Sequence, residues 1–216
     1  FDLNHDLKPF YEHVKNDEVL TRLTSELRGL RSPATTTVFE ALFDSIVEQQ
    51  ISLNVAHVLE KNVIKRFGEM LRLDGEVYYA YPTPKYLMRA TAAGLQKCGL
   101  SRRKADYIQN VSKLIAEGKL NLEELKHCED TDSVISALDG IRGVGVWTAE
   151  LTMVRGMRKD ALPADDLGLR RVISHYYCHD KRISSDEARV IAQRWSNWKG
   201  LAAFYLIVAE IMGIGA

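Results

Sequence analysis

Two short stretches hold the residues whose types and spacing could do chemistry. One is Leu138-Asp139-Gly140-Ile141-Arg142-Gly143-Val144-Gly145-Val146-Trp147-Thr148-Ala149. The other is Leu162-Pro163-Ala164-Asp165-Asp166-Leu167-Gly168. Gly143-x-Gly145 opens backbone angles closed to residues with a Cβ and lets the main chain come close to whatever it touches. A helix starting near Val146 would turn its free N–H groups and the positive end of its dipole outward. A phosphate oxygen is the natural partner for that geometry. A Gly-x-Gly between helices can also be a plain helix–turn–helix corner. The apolar Ile141 and Val144 set among the glycines, and the helix that follows at once, favour the phosphate-gripping hairpin. Asp165 and Asp166 open a helix after Pro163. Asp is a favoured N-cap whose charge the helix dipole stabilises. A carboxylate held near a bound ligand can also stabilise positive charge that develops there and orient an attacking water.

The elements that must position these residues are helical. Only five prolines occur, and alternating β-branched runs are nearly absent. In Val38–Val47, Phe39, Leu42, Phe43 and Ile46 fall on one stripe,. Leu53–Phe67 repeats the pattern and stops at Gly68. Pro84–Ala93 predicts a short helix ending at Gly94. Ser101 caps Arg102–Gly118, whose apolar face is Ala105, Ile108, Val111 and Ile115. Asn121-Leu122 starts another turn. Thr131 or Asp132 caps Ser133–Leu138, and Val146–Met157 follows the hairpin. Asp166–Tyr177, Ser185–Trp195 and Leu201–Met212 complete about ten helices with short loops, hence an all-α fold. Breaks fall at Pro33–Thr37 and Arg158–Ala161.

Composition narrows the function classes. The 216 residues suffice for one domain or two small ones, and 46% apolar with 27% charged is the balance of an ordinary soluble globular protein,. Formal net charge is zero. That argues against binding nucleic acid by bulk charge, though not by a local basic face. Cys98, Cys128 and Cys178 lie far apart with no CxxC pair. They imply neither a zinc site nor a disulfide framework, and a reducing cytoplasm fits. No apolar run approaches the roughly 18 residues of a membrane helix, and the start has no signal-peptide pattern. Phe1 in place of Met suggests a trimmed chain with residues missing upstream.

The hairpin and the downstream acid together resemble the helix-hairpin-helix, Gly/Pro-Asp (HhH-GPD) superfamily of DNA glycosylases, over about Phe39 to Met212. The resemblance implies two helical lobes, 1–37 with 158–216 and 38–157, with the hairpin and the acid at the cleft between them. It implies double-stranded DNA containing damaged bases as partner, gripped by Gly143, Gly145, Val146 and Thr148. It implies catalysis by Asp166, nineteen residues after Trp147, with Asp165 as a cap or a support. A monovalent cation, Na+ or K+, would sit on the main-chain carbonyls of Asp139, Ile141 and Val144. No other cofactor is expected. The iron–sulfur cluster of some branches needs four C-terminal cysteines, and only Cys178 follows the hairpin,.

Branches that also cut the strand carry a lysine nucleophile where this chain has Trp147. The expected enzyme is therefore monofunctional and leaves an abasic site. A tryptophan there is similar to the AlkA-type branch, the 3-methyladenine DNA glycosylases II, in a compact form without the N-terminal β domain. Trp147 and Trp198 would line the pocket of a flipped base. Methylated purines such as 3-methyladenine or 7-methylguanine are cationic, and aromatic faces attract cations. Trp195 is assigned to the core. Gln50, in Ile46–Ser52, aligns with the wedge that fills the gap left by the flipped nucleotide. Arg102, Arg103 and Lys104 look like a solvated face and receive no role. A monomer, cytoplasmic or nucleoid-associated (nuclear in a eukaryote), is expected. Three other readings stand beside this one: a glycosylase for deaminated or oxidised bases, a non-catalytic DNA-binding module, and a helical interaction protein whose glycines and tryptophans only pack.

Overall fold

The structure, a computed structural model, describes residues 6–215; Phe1 lies outside them. The chain divides into two compact units, 1–34 with 153–216 and 35–152. The first pieces of the terminal unit are α1 (Lys8–Val14) and α2 (Glu18–Glu26). Asp17 caps α2 by accepting from the Leu20 N–H at 3.1 Å,. The sequence reading starts at Val38 and misses both, because so few turns leave little periodicity to see.

The central unit runs α3 (Val38–Glu48), α4 (Leu53–Phe67), β1 (Met70–Leu73), β2 (Glu76–Tyr79), α5 (Pro84–Arg89), α6 (Ala92–Gln96), α7 (Arg102–Ala116), α8 (Leu122–Leu125), α9 (Thr131–Asp139) and α10 (Val146–Thr152). Buried on almost every side, α3 is the centre of this unit. It packs against α4, α7 and α10, and α5 and α6 pack on α7. Phe43, Leu42, Ile46, Leu87, Ile108 and Leu138 are fully enclosed.

The terminal unit resumes with a π-helical turn, Met153–Met157, then α11 (Leu167–Cys178), α12 (Ser185–Ala192), a 3-10 stretch Gln193–Trp198 and α13 (Lys199–Met212). Its core gathers Phe10, Leu20, Leu23, Ile173, Trp195 and Tyr205.

The described residues are mostly helical, and the departures from the sequence reading have physical reasons. Met70–Tyr79 forms an antiparallel hairpin with Met70 opposite Tyr79 and Leu73 opposite Glu76. Its turn is Asp74-Gly75, with φ of 52° and 83°. Two left-handed residues in succession make the turn that matches strand twist, so Asp-Gly was the missed signal. Pro84–Ala93 is not one helix. It breaks at Ala90, and Thr91 caps α6 by accepting from the Gly94 N–H at 3.0 Å. The cap of α9 is Asp130, which accepts from the N–H groups of Asp132 and Ser133, rather than Thr131 or Asp132. Ser185–Trp195 stays α-helical only to Ala192. Ser196, with φ 48°, kinks the chain before α13. The units divide within Pro33–Thr37, three residues before the Thr37/Val38 bound of the implied lobes, and five residues before their Met157/Arg158 bound. Thr37 belongs with α3, whose Glu40 N–H it accepts at 3.1 Å. Among the described residues no helix is long and apolar enough to cross a membrane.

One buried acid in the central unit gives the fold a pH signature. Asp44 of α3 accepts a hydrogen bond from the Tyr81 hydroxyl. Burial pushes its carboxyl up to about 7, against the opposing pull of that bond. A carboxyl whose folded value exceeds the unfolded one binds more protons when folded, so stability falls as pH rises from about 4 to about 7. Asp44→Asn should leave stability near pH 4 almost unchanged. Above pH 7 it should raise stability by about 1–3 kcal/mol, flattening the pH profile of urea midpoints.

Candidate functional site

The central unit builds the hairpin from the end of α9. Gly140 closes that helix, and Ile141 N–H donates to Leu138 O at 3.0 Å. Val144 N–H donates to Ile141 O at 2.9 Å, while Ile141 and Val144 bury their side chains. Gly143 has a φ of +91°, and a Cβ there would come within 2.2 Å of the Tyr107 ring on α7. Glycine is required by both conformation and space. Gly145 differs from expectation. Its φ is not left-handed, and a Cβ would meet nothing within 4 Å. Any reason for glycine at 145 lies outside the chain's own packing. α10 begins at Val146, and Ala149 N–H makes the first bond, to Gly145 O at 2.9 Å. The N–H groups before it have no helix carbonyl to reach, and Gly145 and Val146 are exposed.

Two residues that the sequence reading left without a role hold this end together. Gln49 donates through Nε2 to Gly143 O at 2.9 Å and to Thr148 Oγ1 at 3.0 Å. Lys104 is buried, and its Nζ donates to Val47 O and to Gln49 O, both at 2.7 Å. Burial lowers the Lys104 ammonium below its usual range. It is thus a cap on the last carbonyls of α3, and the reading of Arg102–Lys104 as a solvated face fails at its third member. Thr148 is buried and its hydroxyl is engaged by Gln49, so it serves the packing of this end. Beyond Gln49 the chain turns sharply. Gln50 is exposed with a φ of +59°, a conformation that tight surroundings must enforce in a residue with a side chain. Gln50, Gly143 and the start of α10 are therefore brought together, with Gln49 as the link.

In the terminal unit, Asp166 is the N-cap of α11. Its Oδ1 accepts from the Leu169 N–H at 2.8 Å. The carboxylate is half-buried, and Leu167 and Gly168 beside it are exposed. At Gly168 an ideal Cβ would stand 3.1 Å from Asp166 Oδ1, so the missing side chain leaves the acid room. Asp165 points elsewhere, 3.7 Å from Arg189 Nη2 in an exposed ion pair. Of the two acids, Asp166 is thus the one held by a helix end.

Trp147 is half-buried in the first turn of α10. Trp195 is fully buried, as expected of a core residue. Trp198 is half-buried. It meets Phe10 at a ring separation of 5.6 Å and lines a cavity of about 130 Å³ with Leu7, Val154, Asp160 and Leu201. Asp160 fixes that wall by accepting from Gly200 N–H and Lys199 Nζ, both at 3.1 Å.

The two hairpin glycines should separate in a melting experiment. Gly143→Ala forces a methyl into Tyr107 on a left-handed backbone and should lose about 2 kcal/mol or more. Gly145→Ala should change stability by no more than about 0.5 kcal/mol.

A family model described as the HhH-GPD superfamily of base excision DNA repair proteins matches residues 43–199. DNA-3-methyladenine glycosylase of Bacillus subtilis (strain 168) is 33% identical over 207 residues, 95% of this chain and 68% of that protein. DNA-3-methyladenine glycosylase 2 of Escherichia coli (strain K12) is 27% identical over 192 residues, 88% of this chain and 64% of that protein. Among solved structures, the 3-methyladenine DNA-glycosylase from Archaeoglobus fulgidus aligns with a TM-score of 0.87 at 33% identity, over 96% of this chain and 70% of that one. The chain thus spans about two thirds of these relatives' length. It belongs to the HhH-GPD superfamily of base excision DNA repair proteins.

Proposed function

We propose that this protein is a monofunctional DNA glycosylase that flips alkylated purines out of duplex DNA and hydrolyses their N-glycosidic bonds, leaving an abasic site. The observation that carries the reading is the state of Asp166. One oxygen is anchored by the Leu169 N–H and the rim beside the carboxylate is open. The names of the 3-methyladenine glycosylases among its relatives support the lesion class.

The chemistry is short. A methylated purine carries positive charge and leaves with both electrons of its C1′–N bond, becoming neutral. The sugar left behind is cationic, and an ionised Asp166 stabilises it electrostatically. Water then adds to C1′ and gives up one proton. Trp147 replaces the lysine that strand-cutting relatives would use, which supports hydrolysis without an amine adduct. Trp147, in the central unit, and Trp198, in the terminal unit, are each half-buried aromatic rings of the kind that attracts a cationic base,. Gln50, on its exposed left-handed turn, fills the gap in the helix stack. The Gly145 and Val146 amides hold a backbone phosphate. The hairpin suits a monovalent cation. Carbonyls ending α9 lack intrahelical donors, and Ile141 O, bonded once at 2.9 Å, keeps a second lone pair,. Asp139, Ile141 and Val144 would hold the ion, which would add positive charge beside the phosphate.

Asp166→Asn tests the reading, because Asn caps helices as well as Asp does and the fold should survive. Chromatography of bases released from methylated duplex should show 3-methyladenine or 7-methylguanine with wild type. The variant should release them at least about a hundredfold more slowly while binding the same DNA. Equal release by the variant would remove Asp166 from the chemistry. Release of only deaminated or oxidised bases by wild type would reassign the substrate.

A further inference from the structure

A cationic cavity lies along α11, the helix that Asp166 caps. It measures about 230 Å³, and its charged wall is Arg170, Arg171, Lys181 and Arg182 with one carboxylate, Asp180. The chain holds 29 basic and 29 acidic side chains. Four cations around one small hollow are thus a local departure from balance, not an expression of a basic protein. The fold builds this concentration deliberately. After Cys178, His179 and Asp180 both take left-handed φ, 51° and 61°, and turn the chain back. The returning segment is fastened to the helix. The Ser174 hydroxyl donates to Lys181 O, and Arg170 Nη1 donates to Ile183 O at 3.4 Å.

The nearby carboxylates are already engaged. Asp180 lies 2.9 Å from His175 Nδ1, and Glu210 lies 2.8 Å from Arg171 Nη1. Lys181 and Arg182 are exposed, and among the described residues neither has a carboxylate partner. Arg170 Nε is buried without a hydrogen-bond partner. Four cations outnumber the one lining carboxylate, Asp180, and Lys181 and Arg182 keep no carboxylate partner, which makes the hollow a site for a phosphate,.

We propose that this cavity is a second anchor for the DNA backbone. Lys181 and Arg182, with Arg170 behind them, take a phosphodiester one helical turn from Asp166. The occupant's identity rests on the glycosylase reading, while the anion chemistry does not. The anchor would hold the strand at the acid with side-chain charge, in contrast to the backbone amides of the hairpin.

The test is Lys181→Gln/Arg182→Gln, whose exposed positions leave the fold intact, as a melting curve would check. Affinity for methylated duplex is measured across ionic strength. The site holds one phosphodiester, so its loss should make the slope of log K against log salt shallower by about 0.9. Affinity near 0.1 M salt should fall about tenfold or more. Single-turnover base release at saturating DNA should stay at the wild-type rate. Lys61→Gln/Lys65→Gln, which removes the same charge from α4, should keep the wild-type slope. An unchanged slope in the first variant, or equal losses in both, overturns the site. Inorganic phosphate at matched ionic strength that occupies the wild-type cavity without altering duplex affinity would assign it to a free anion and overturn the backbone role. If wild type binds duplex but releases no methylated base, the glycosylase reading falls, and the slopes still judge the phosphate site.

Discussion

A helix that ends inside a protein leaves its last carbonyls without donors, and how α3 meets that need decides the shape of the central unit's working end. The Lys104 ammonium supplies the donors, bonding Val47 O and Gln49 O. An ion buried this far is costly unless its hydrogen bonds are made, so the lysine and the two carbonyls fix one another. With its main chain held, Gln49 can direct its carboxamide at Gly143 and Thr148. The hairpin, the first turn of α10 and the exposed Gln50 then have one geometry rather than three independent ones. In the proposed function, oriented amides at this end would take a backbone phosphate without any excess of positive charge in the chain,.

The terminal unit solves a different problem with similar economy. In the proposed chemistry, an acid beside a developing cation must be held still and remain open to the substrate. Capping α11 meets these demands together. The Leu169 N–H anchors one oxygen, the helix end favours negative charge, and Gly168 keeps the neighbouring space clear. Asp165, one residue earlier, has none of this and pairs with Arg189 at the surface. The same helix carries the cationic cavity along its length, so charge of both signs is arranged around a single element.

How much of this was legible in the sequence follows from the range of the interactions involved. Helix runs, the glycine hairpin and the capping acid depend on neighbours a few residues away, and Leu53–Phe67 or the Ser101 cap of α7 could be read directly. The Asp74-Gly75 hairpin was equally local and was overlooked because its strands are only four residues each. The parts that could not be read depend on distant partners. Gln49 meets Gly143 across 94 positions, and Lys104 meets Gln49 across 55. A lysine in an Arg-Arg-Lys run gives no sign that it points inward. Gly143 and Gly145 look alike in the sequence, yet only Gly143 is constrained by the fold, because Tyr107 stands over it.

In the proposed function an acid, without an amine nucleophile, breaks the glycosidic bond. The most direct test is to incubate the wild-type enzyme with methylated duplex in the presence of borohydride and to resolve both protein and strand. Hydrolysis without an amine adduct gives free methylated purine, an abasic strand that stays intact until treated with alkali, and protein of unchanged mass. A covalent protein–DNA adduct accompanied by enzymatic strand cleavage would contradict it.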